Sequence, residues 1–228
     1  MKPVQSILKR ILDSKWAWDW IQGPIYNRLI LKVMSGVYER SMPEVQIPKN
    51  ARILDVGSGP GFITLILAQK EPTASVIGVD YSKGQVEAAN RLRARKQVQN
   101  CSFRLGDAMA LPFEDSSFDI VMSSASIKHW PDAVRGLKEI HRVLVPGGLA
   151  FIGEADRNSS DEEILEFMKE FTAWYVWDPF MKWYLRKVVY GRSYSRAQAE
   201  SMAKSAGFSE VVVERVQGWP FFTMRLKK

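Results

Sequence analysis

Leu54-Asp55-Val56-Gly57-Ser58-Gly59-Pro60-Gly61-Phe62 joins the end of an apolar strand to three glycines and then opens a helix. The lead-in Ile53-Leu54-Asp55-Val56 reads as the first strand of a parallel sheet, and Phe62-Ile63-Thr64-Leu65-Ile66-Leu67-Ala68 as the helix packed on it. Glycines in such a turn permit positive φ and let a ligand approach the backbone where a Cβ would collide. Their spacing selects the ligand. A dinucleotide loop reads Gly-x-Gly-x-x-Gly and seats a pyrophosphate on the helix N-terminus. Here the glycines alternate at 57, 59 and 61 behind Asp55, an arrangement without a phosphate cradle.

Asp55-x-Gly57-x-Gly59-x-Gly61 resembles motif I of the Rossmann-like, class I S-adenosylmethionine (SAM) methyltransferases. Val76-Ile77-Gly78-Val79-Asp80 reads as a second strand ending in an acid, 19 positions beyond Gly61. In open α/β sheets such an acid lies at the carboxyl edge and bonds ribose hydroxyls, in NAD enzymes as well, so Asp80 alone does not discriminate. Later segments do. Gly106-Asp107-Ala108-Met109-Ala110-Leu111-Pro112-Phe113, followed by Phe118-Asp119-Ile120-Val121-Met122-Ser123-Ser124, is similar to the type 11 methyltransferase family, which includes the ubiquinone and menaquinone biosynthesis methyltransferases. That family's helix and reverse turn before strand five are matched by Leu137-Lys138-Glu139-Ile140-His141-Arg142-Val143-Leu144-Val145-Pro146-Gly147-Gly148. The resemblance is strong over residues 50–155 and weak over 193–228.

The resemblance implies an α/β fold: a Rossmann-like, seven-stranded, mostly parallel sheet of order 3-2-1-4-5-7-6, with one antiparallel strand and helices on both faces. It implies SAM as cofactor, S-adenosylhomocysteine as product, and a small, largely apolar or aromatic acceptor such as a quinol, phenol, thiol or amine. Carried over residue by residue, Gly57, Ser58, Gly59 and Gly61 lie near the methionine and ribose portions, and Asp55 orients the loop close to the methionine amine. Asp80 takes the ribose hydroxyls, Tyr81 faces adenine, and Asp107 with Ala108 forms the adenine edge. Ser123 and Ser124 leave strand four near the methionine end and the acceptor.

With 228 residues, the chain suits one α/β domain. Its expected parts are an N-terminal helical cap over 1–45, a SAM-binding core over 50–155, an aromatic-rich insertion over 155–192, and a C-terminal helix and strand pair over 193–228. Strands are expected at 52–56, 75–79, 101–105, 117–123 and 148–153, with late strands at 208–215 and 220–226. Helices are expected near 61–70, 82–96 and 132–144, and Ser195-Arg196-Ala197-Gln198 has the form of a capping box on a further helix that Gly207 stops. No apolar run approaches the roughly 18 residues of a membrane span, and no secretory signal is evident, so a cytoplasmic location is expected.

The formal net charge of +7 is uneven. Residues 1–50 carry eight Lys/Arg against four acids, residues 182–228 carry ten against three, and the stretch between nets −4. Basic ends suit an anionic partner or a membrane surface, but neither holds a compact basic block, so solvated helix faces serve equally. No nucleic-acid partner is expected, peripheral membrane contact is kept as a minor reading, and the oligomeric state is left open. Cys101, the single cysteine, excludes an intrachain disulfide and a thiolate-rich zinc site; it reads as a buried strand residue, and no metal is expected.

Two aromatic-rich segments exceed what a minimal sheet needs. The insertion carries Phe167, Phe171, Trp174, Tyr175, Trp177, Phe180, Trp183, Tyr184 and Tyr190, with Phe167, Phe171 and Trp174 on one helical face. The N-terminal segment carries Trp16, Trp18, Trp20 and Tyr26. A lid over the acceptor, with Trp18, Tyr26, Trp174 and Trp177 as its candidate residues, and plain packing on the sheet are both open. For a proton acceptor, His129 follows strand four and belongs at the active edge, whereas His141 falls away from it; Glu154 and Asp156 are alternatives. A thiolate, phenolate or carbanion acceptor needs no strong base. A silent SAM-binding or partner-binding module, or an NAD-dependent oxidoreductase, is the alternative to an enzyme of this family.

Overall fold

The computed structural model describes residues 45–169, 182, 183 and 185–228. Seven strands form one sheet: β1 (Arg52–Val56), β2 (Ser75–Asp80), β3 (Cys101–Leu105), β4 (Phe118–Ser124), β5 (Leu144–Ala155), β6 (Glu210–Arg215) and β7 (Phe221–Lys227). Their spatial order is β3-β2-β1-β4-β5-β7-β6. The first five pair in parallel, and β7 runs antiparallel to both β5 and β6, as the resemblance implied.

Both faces of the sheet are covered, and the alternation of side chains along each strand shows it. Ile53, Ile120 and Met122 enter one core layer; Leu54, Val56 and Val121 enter the other. Because neither face meets water, β1 reads as a nearly continuous apolar run instead of an alternating one. The first layer is completed by α1 (Phe62–Lys70), α2 (Lys83–Lys96) and α4 (Asp161–Met168), through residues such as Leu65, Ala89 and Phe167. The second is completed by α3 (Ala133–Val143) and α5 (Arg196–Ser205), through Leu137, Ile140, Ala199 and Ala203. Leu137 and Ile140 are fully buried, and each contributes roughly 1.5–3 kcal/mol of apolar transfer.

Local chemistry sets the helix starts. Ser82 caps α2 by accepting Gln85 N–H, and Asp132 caps α3 by accepting Arg135 N–H. Ser195 and Gln198 form the expected capping box on α5. Ser160 and Glu163 form a second box on α4, with the Ser-x-x-Glu spacing that such a box needs. β5 departs from expectation: its pairing begins at Leu144, before Pro146, and the register shifts between Phe118 and Ile120, where the extra residues around Gly147 (φ +75°) are accommodated. At the amino ends of the strands, the Arg52 guanidinium grips Asp119 and holds its carboxyl below the usual range.

Cys101 is buried, its thiol pushed up by desolvation. Among the described residues no helix is long and apolar enough to cross a membrane. The N-terminal cap and residues 170–181, with the lid candidates Trp18, Tyr26, Trp174 and Trp177, lie outside the described residues.

Candidate functional site

Strand order reverses between β1 and β4, and open α/β sheets leave a crevice at the carboxyl ends of such a pair. The glycine loop leaves β1 on one wall, and the turn after β4 forms the other. Gly57, Gly59 and Gly61 all take left-handed φ, at +74°, +53° and +88°. Each solves a different problem. A Cβ on Gly57 would stand 1.9 Å from Ser126 Oγ, and one on Gly61 would stand 2.5 Å from the Phe103 ring. At Gly59 no described residue lies within 4 Å of that position.

The loop's amides turn inward. Gly57 and Ser58 N–H both donate to Val79 O, at 2.8 and 3.0 Å, and Gly61 N–H donates to Ser58 O. Gly59 N–H donates to Asp80 Oδ2 at 2.8 Å. With these donors engaged, the loop lacks the outward ring of amides that cradles a phosphate. Asp80 Oδ1 also accepts Ser82 N–H at 2.9 Å, which fixes the carboxylate at the end of β2 beside the loop. The hydroxyl of Ser58 itself is buried against Gly78 and finds no hydrogen-bond partner among the described residues.

Next along the edge, Tyr81 and Leu105 stand 49% and 48% exposed, unusually for large apolar side chains. They follow directly on, or form part of, the paired residues Asp80 and Leu105 of β2 and β3. Asp107 continues this rim, its carboxylate accepting Met109 N–H at 2.9 Å, while Ala108 tucks into the α3-side core. The structure therefore brings Gly57, Ser58, Gly59, Gly61, Asp80, Tyr81, Asp107 and Ala108 to neighbouring positions on one edge.

Asp55 sits beneath the loop, 1% exposed, with Oδ2 accepting the Thr64 hydroxyl at 2.7 Å. Burial raises its pKa from 3.8 to about 7, the Thr64 hydrogen bond opposes that rise, and the nearby Asp80 charge adds to it. The carboxyl ties β1 to α1 and is poised to change charge near neutrality.

On the opposite wall, Ser123 is buried and its hydroxyl donates to Val56 O at 2.8 Å, bolting β4 to β1 at the mouth of the loop. Ser124 ends β4, and Ala125 takes φ +52°, a left-handed conformation costing roughly 1–2 kcal/mol for a residue with a Cβ. A single 3₁₀ turn, Ile127–His129, then follows β4 and carries His129, half-buried. His141 lies elsewhere, edge-on to Phe208 with ring centroids 5.2 Å apart, and burial lowers its pKa. Glu154 is not a free base. It lies inside β5, and Lys128 Nζ meets its Oε1 at 2.8 Å in a pair almost closed to solvent. Asp156 is likewise engaged, by Arg196 at 3.2 Å and by Asn158 N–H. Neither the segment around Lys128 nor that around Glu154 carries a local signal that the two meet.

Of the aromatic insertion, Phe167 is buried against Phe221 at 4.9 Å and Trp219 at 5.4 Å, and Tyr190 is buried nearby. These two serve packing. Trp183 is 51% exposed.

Residues 47–207 match the family described as a methyltransferase domain. A demethylmenaquinone methyltransferase of Lactiplantibacillus plantarum is 29% identical over 186 residues, covering 78% of this chain and 73% of that protein. An uncharacterised methyltransferase of Schizosaccharomyces pombe is 40% identical over 116 residues, or 48% of this chain and 42% of that protein. The chain thus spans under half the length of the yeast relative. Among solved structures, a SAM-dependent methyltransferase from Aquifex aeolicus superposes with a TM-score of 0.61 at 16% identity, over 96% of each chain. The [4+2]-cyclase SpnF superposes with a TM-score of 0.62 at 20% identity, over 86% of this chain and 80% of its own. These two likenesses concern the fold.

Proposed function

The chain belongs to the methyltransferase domain family, and from that premise we propose that it moves a methyl group from SAM to a small, largely apolar or aromatic acceptor. A quinol is the first acceptor class to try, because a relative covering most of the chain is named a demethylmenaquinone methyltransferase. The observation that carries the cofactor reading is the direction of the loop amides. Gly57, Ser58, Gly59 and Gly61 N–H all close onto the protein, while no described residue crowds the Gly59 Cα. That edge suits a nucleoside sulfonium better than a pyrophosphate.

In this reading the Asp80 carboxylate, oriented by two amides, bonds a vicinal diol. Tyr81 and Leu105 flank a planar base, with Asp107 and Ala108 at its rim. Asp55 stands under the amino-acid end, where a cationic ammonium favours its ionised form. The bound sulfonium supplies the activated methyl group, so the protein's own task is alignment and exclusion of water. Ser124 and His129 form the acceptor side, and His129 takes the acceptor's proton where that acceptor is a neutral hydroxyl or amine. The lid residues Trp18, Tyr26, Trp174 and Trp177 remain part of this proposal for the acceptor pocket.

Two measurements test it. Calorimetry should detect SAM and S-adenosylhomocysteine and miss NADH. Incubation with methyl-labelled SAM and a panel of quinols, phenols, thiols and amines should yield a labelled product. Failure to bind either adenosyl compound sinks the reading.

A further inference from the structure

Lys128 and Glu154 make a buried ion pair whose geometry exceeds what sheet packing asks. Their side chains are 6% and 0% exposed, and Nζ meets Oε1 at 2.8 Å. The same ammonium donates to Ala125 O at 2.7 Å, and Lys128 N–H reaches Glu154 Oε2 at 3.3 Å. Glu154 Oε1 also accepts Ala155 N–H at 2.8 Å, which fixes the carboxylate to β5. The pair therefore spans from the end of β5 to both the left-handed Ala125 and the 3₁₀ turn that carries His129.

The other side of that turn touches the cofactor loop. Ser126 Oγ accepts Trp130 Nε1 at 3.0 Å and occupies the space a Cβ on Gly57 would need. Trp130 in turn lies against Gly136 of α3, where a Cβ would stand 2.4 Å from the ring. A continuous set of contacts thus runs Glu154, Lys128, Ala125 and Ser126 to Gly57. Taking two charges out of water is costly, and such pairs are often replaceable by apolar groups without loss of stability. A buried charge pair of this geometry fixes position more than it adds fold stability.

Resting on the methyl-transfer reading above, we propose that the Lys128–Glu154 pair is a positioning device that seats residues 125–130 against Gly57, and so sets how well the glycine loop receives its ligand.

The test uses the full chain and S-adenosylhomocysteine as the probe. K128M/E154Q keeps the length of both side chains and one acceptor for Ala155 N–H. It should melt within a few degrees of wild type yet bind S-adenosylhomocysteine about tenfold more weakly, as befits the loss of one positioned contact. Hydrogen exchange at the His129 and Trp130 amides, which close the turn onto Ser126 O and Ile127 O, should quicken in the same variant. Wild-type affinity in the folded double variant overturns the proposal. If that variant does not fold, S126A carries the test: it leaves the ion pair intact and removes the hydroxyl between Gly57 and Trp130. A comparable loss of affinity supports the proposal, and unchanged affinity overturns it. Wild-type protein that fails to bind S-adenosylhomocysteine removes the methyl-transfer reading instead, so the two failures are distinct.

Discussion

Replacing Asp55 with Asn isolates the charge that the fold buries beneath the glycine loop. The carboxyl is 1% exposed, and burial lifts its pKa from 3.8 to about 7. Because the folded value lies above the unfolded one, the neutral acid is the form the fold favours. Its contribution is therefore intact below pH 3.8, declines as pH rises, and is lost above about pH 7. The rise from 3.8 to about 7 corresponds to roughly 4 kcal/mol in all. About 3 kcal/mol of that falls between pH 5 and pH 8. Asn keeps a carbonyl to accept the Thr64 hydroxyl and cannot ionise. Urea unfolding of wild type and D55N at pH 5, 6.5 and 8 should show the stability difference, variant minus wild type, growing by that amount. Titrating groups remote from Asp55 are shared and cancel, leaving only its coupling to Asp80. Stability curves that run parallel across this range refute the buried-acid argument.

G57A should lower stability by roughly 2–5 kcal/mol, combining left-handed strain with overpacking against Ser126 Oγ, and should abolish adenosyl binding; thermal melting and calorimetry check both. G59A, whose new methyl meets no described residue, should cost about 1–2 kcal/mol and still weaken S-adenosylhomocysteine sharply; intact affinity would place the ligand elsewhere. D80A removes a carboxylate oriented by Gly59 and Ser82, and should weaken binding roughly 10–100-fold, readable by calorimetry. H129Q should lower turnover on a hydroxyl or amine acceptor by about 10²–10⁴ with S-adenosylhomocysteine affinity unchanged; undiminished turnover assigns the proton to another group.

The glycine run was legible because its chemistry is local: positive φ at three alternating positions and an acid before them are properties of a dozen residues. The same holds for the cap at Ser195, where a side chain serves an amide three residues on. Glu154 shows where locality ends. It followed an apolar run and looked like a free acid at the sheet edge, yet its partner Lys128 stands 26 residues earlier in the chain. Nothing in either segment alone states that they meet.

The sequence by itself determined the parallel sheet, its strand order through the family resemblance, and the alternating-glycine loop after β1. The sheet and the loop follow from hydrophobic period and backbone freedom, which act over a few residues, whereas the strand order is what the resemblance implies. Only the tertiary structure decided which acids are free. It assigned Glu154 to Lys128 and Asp156 to Arg196, sank Asp55 until its pKa approached neutrality, and pressed Ser126 against Gly57. The physical reason is that solvation and charge pairing depend on distances between strands remote in sequence, and those distances exist only after the sheet has closed.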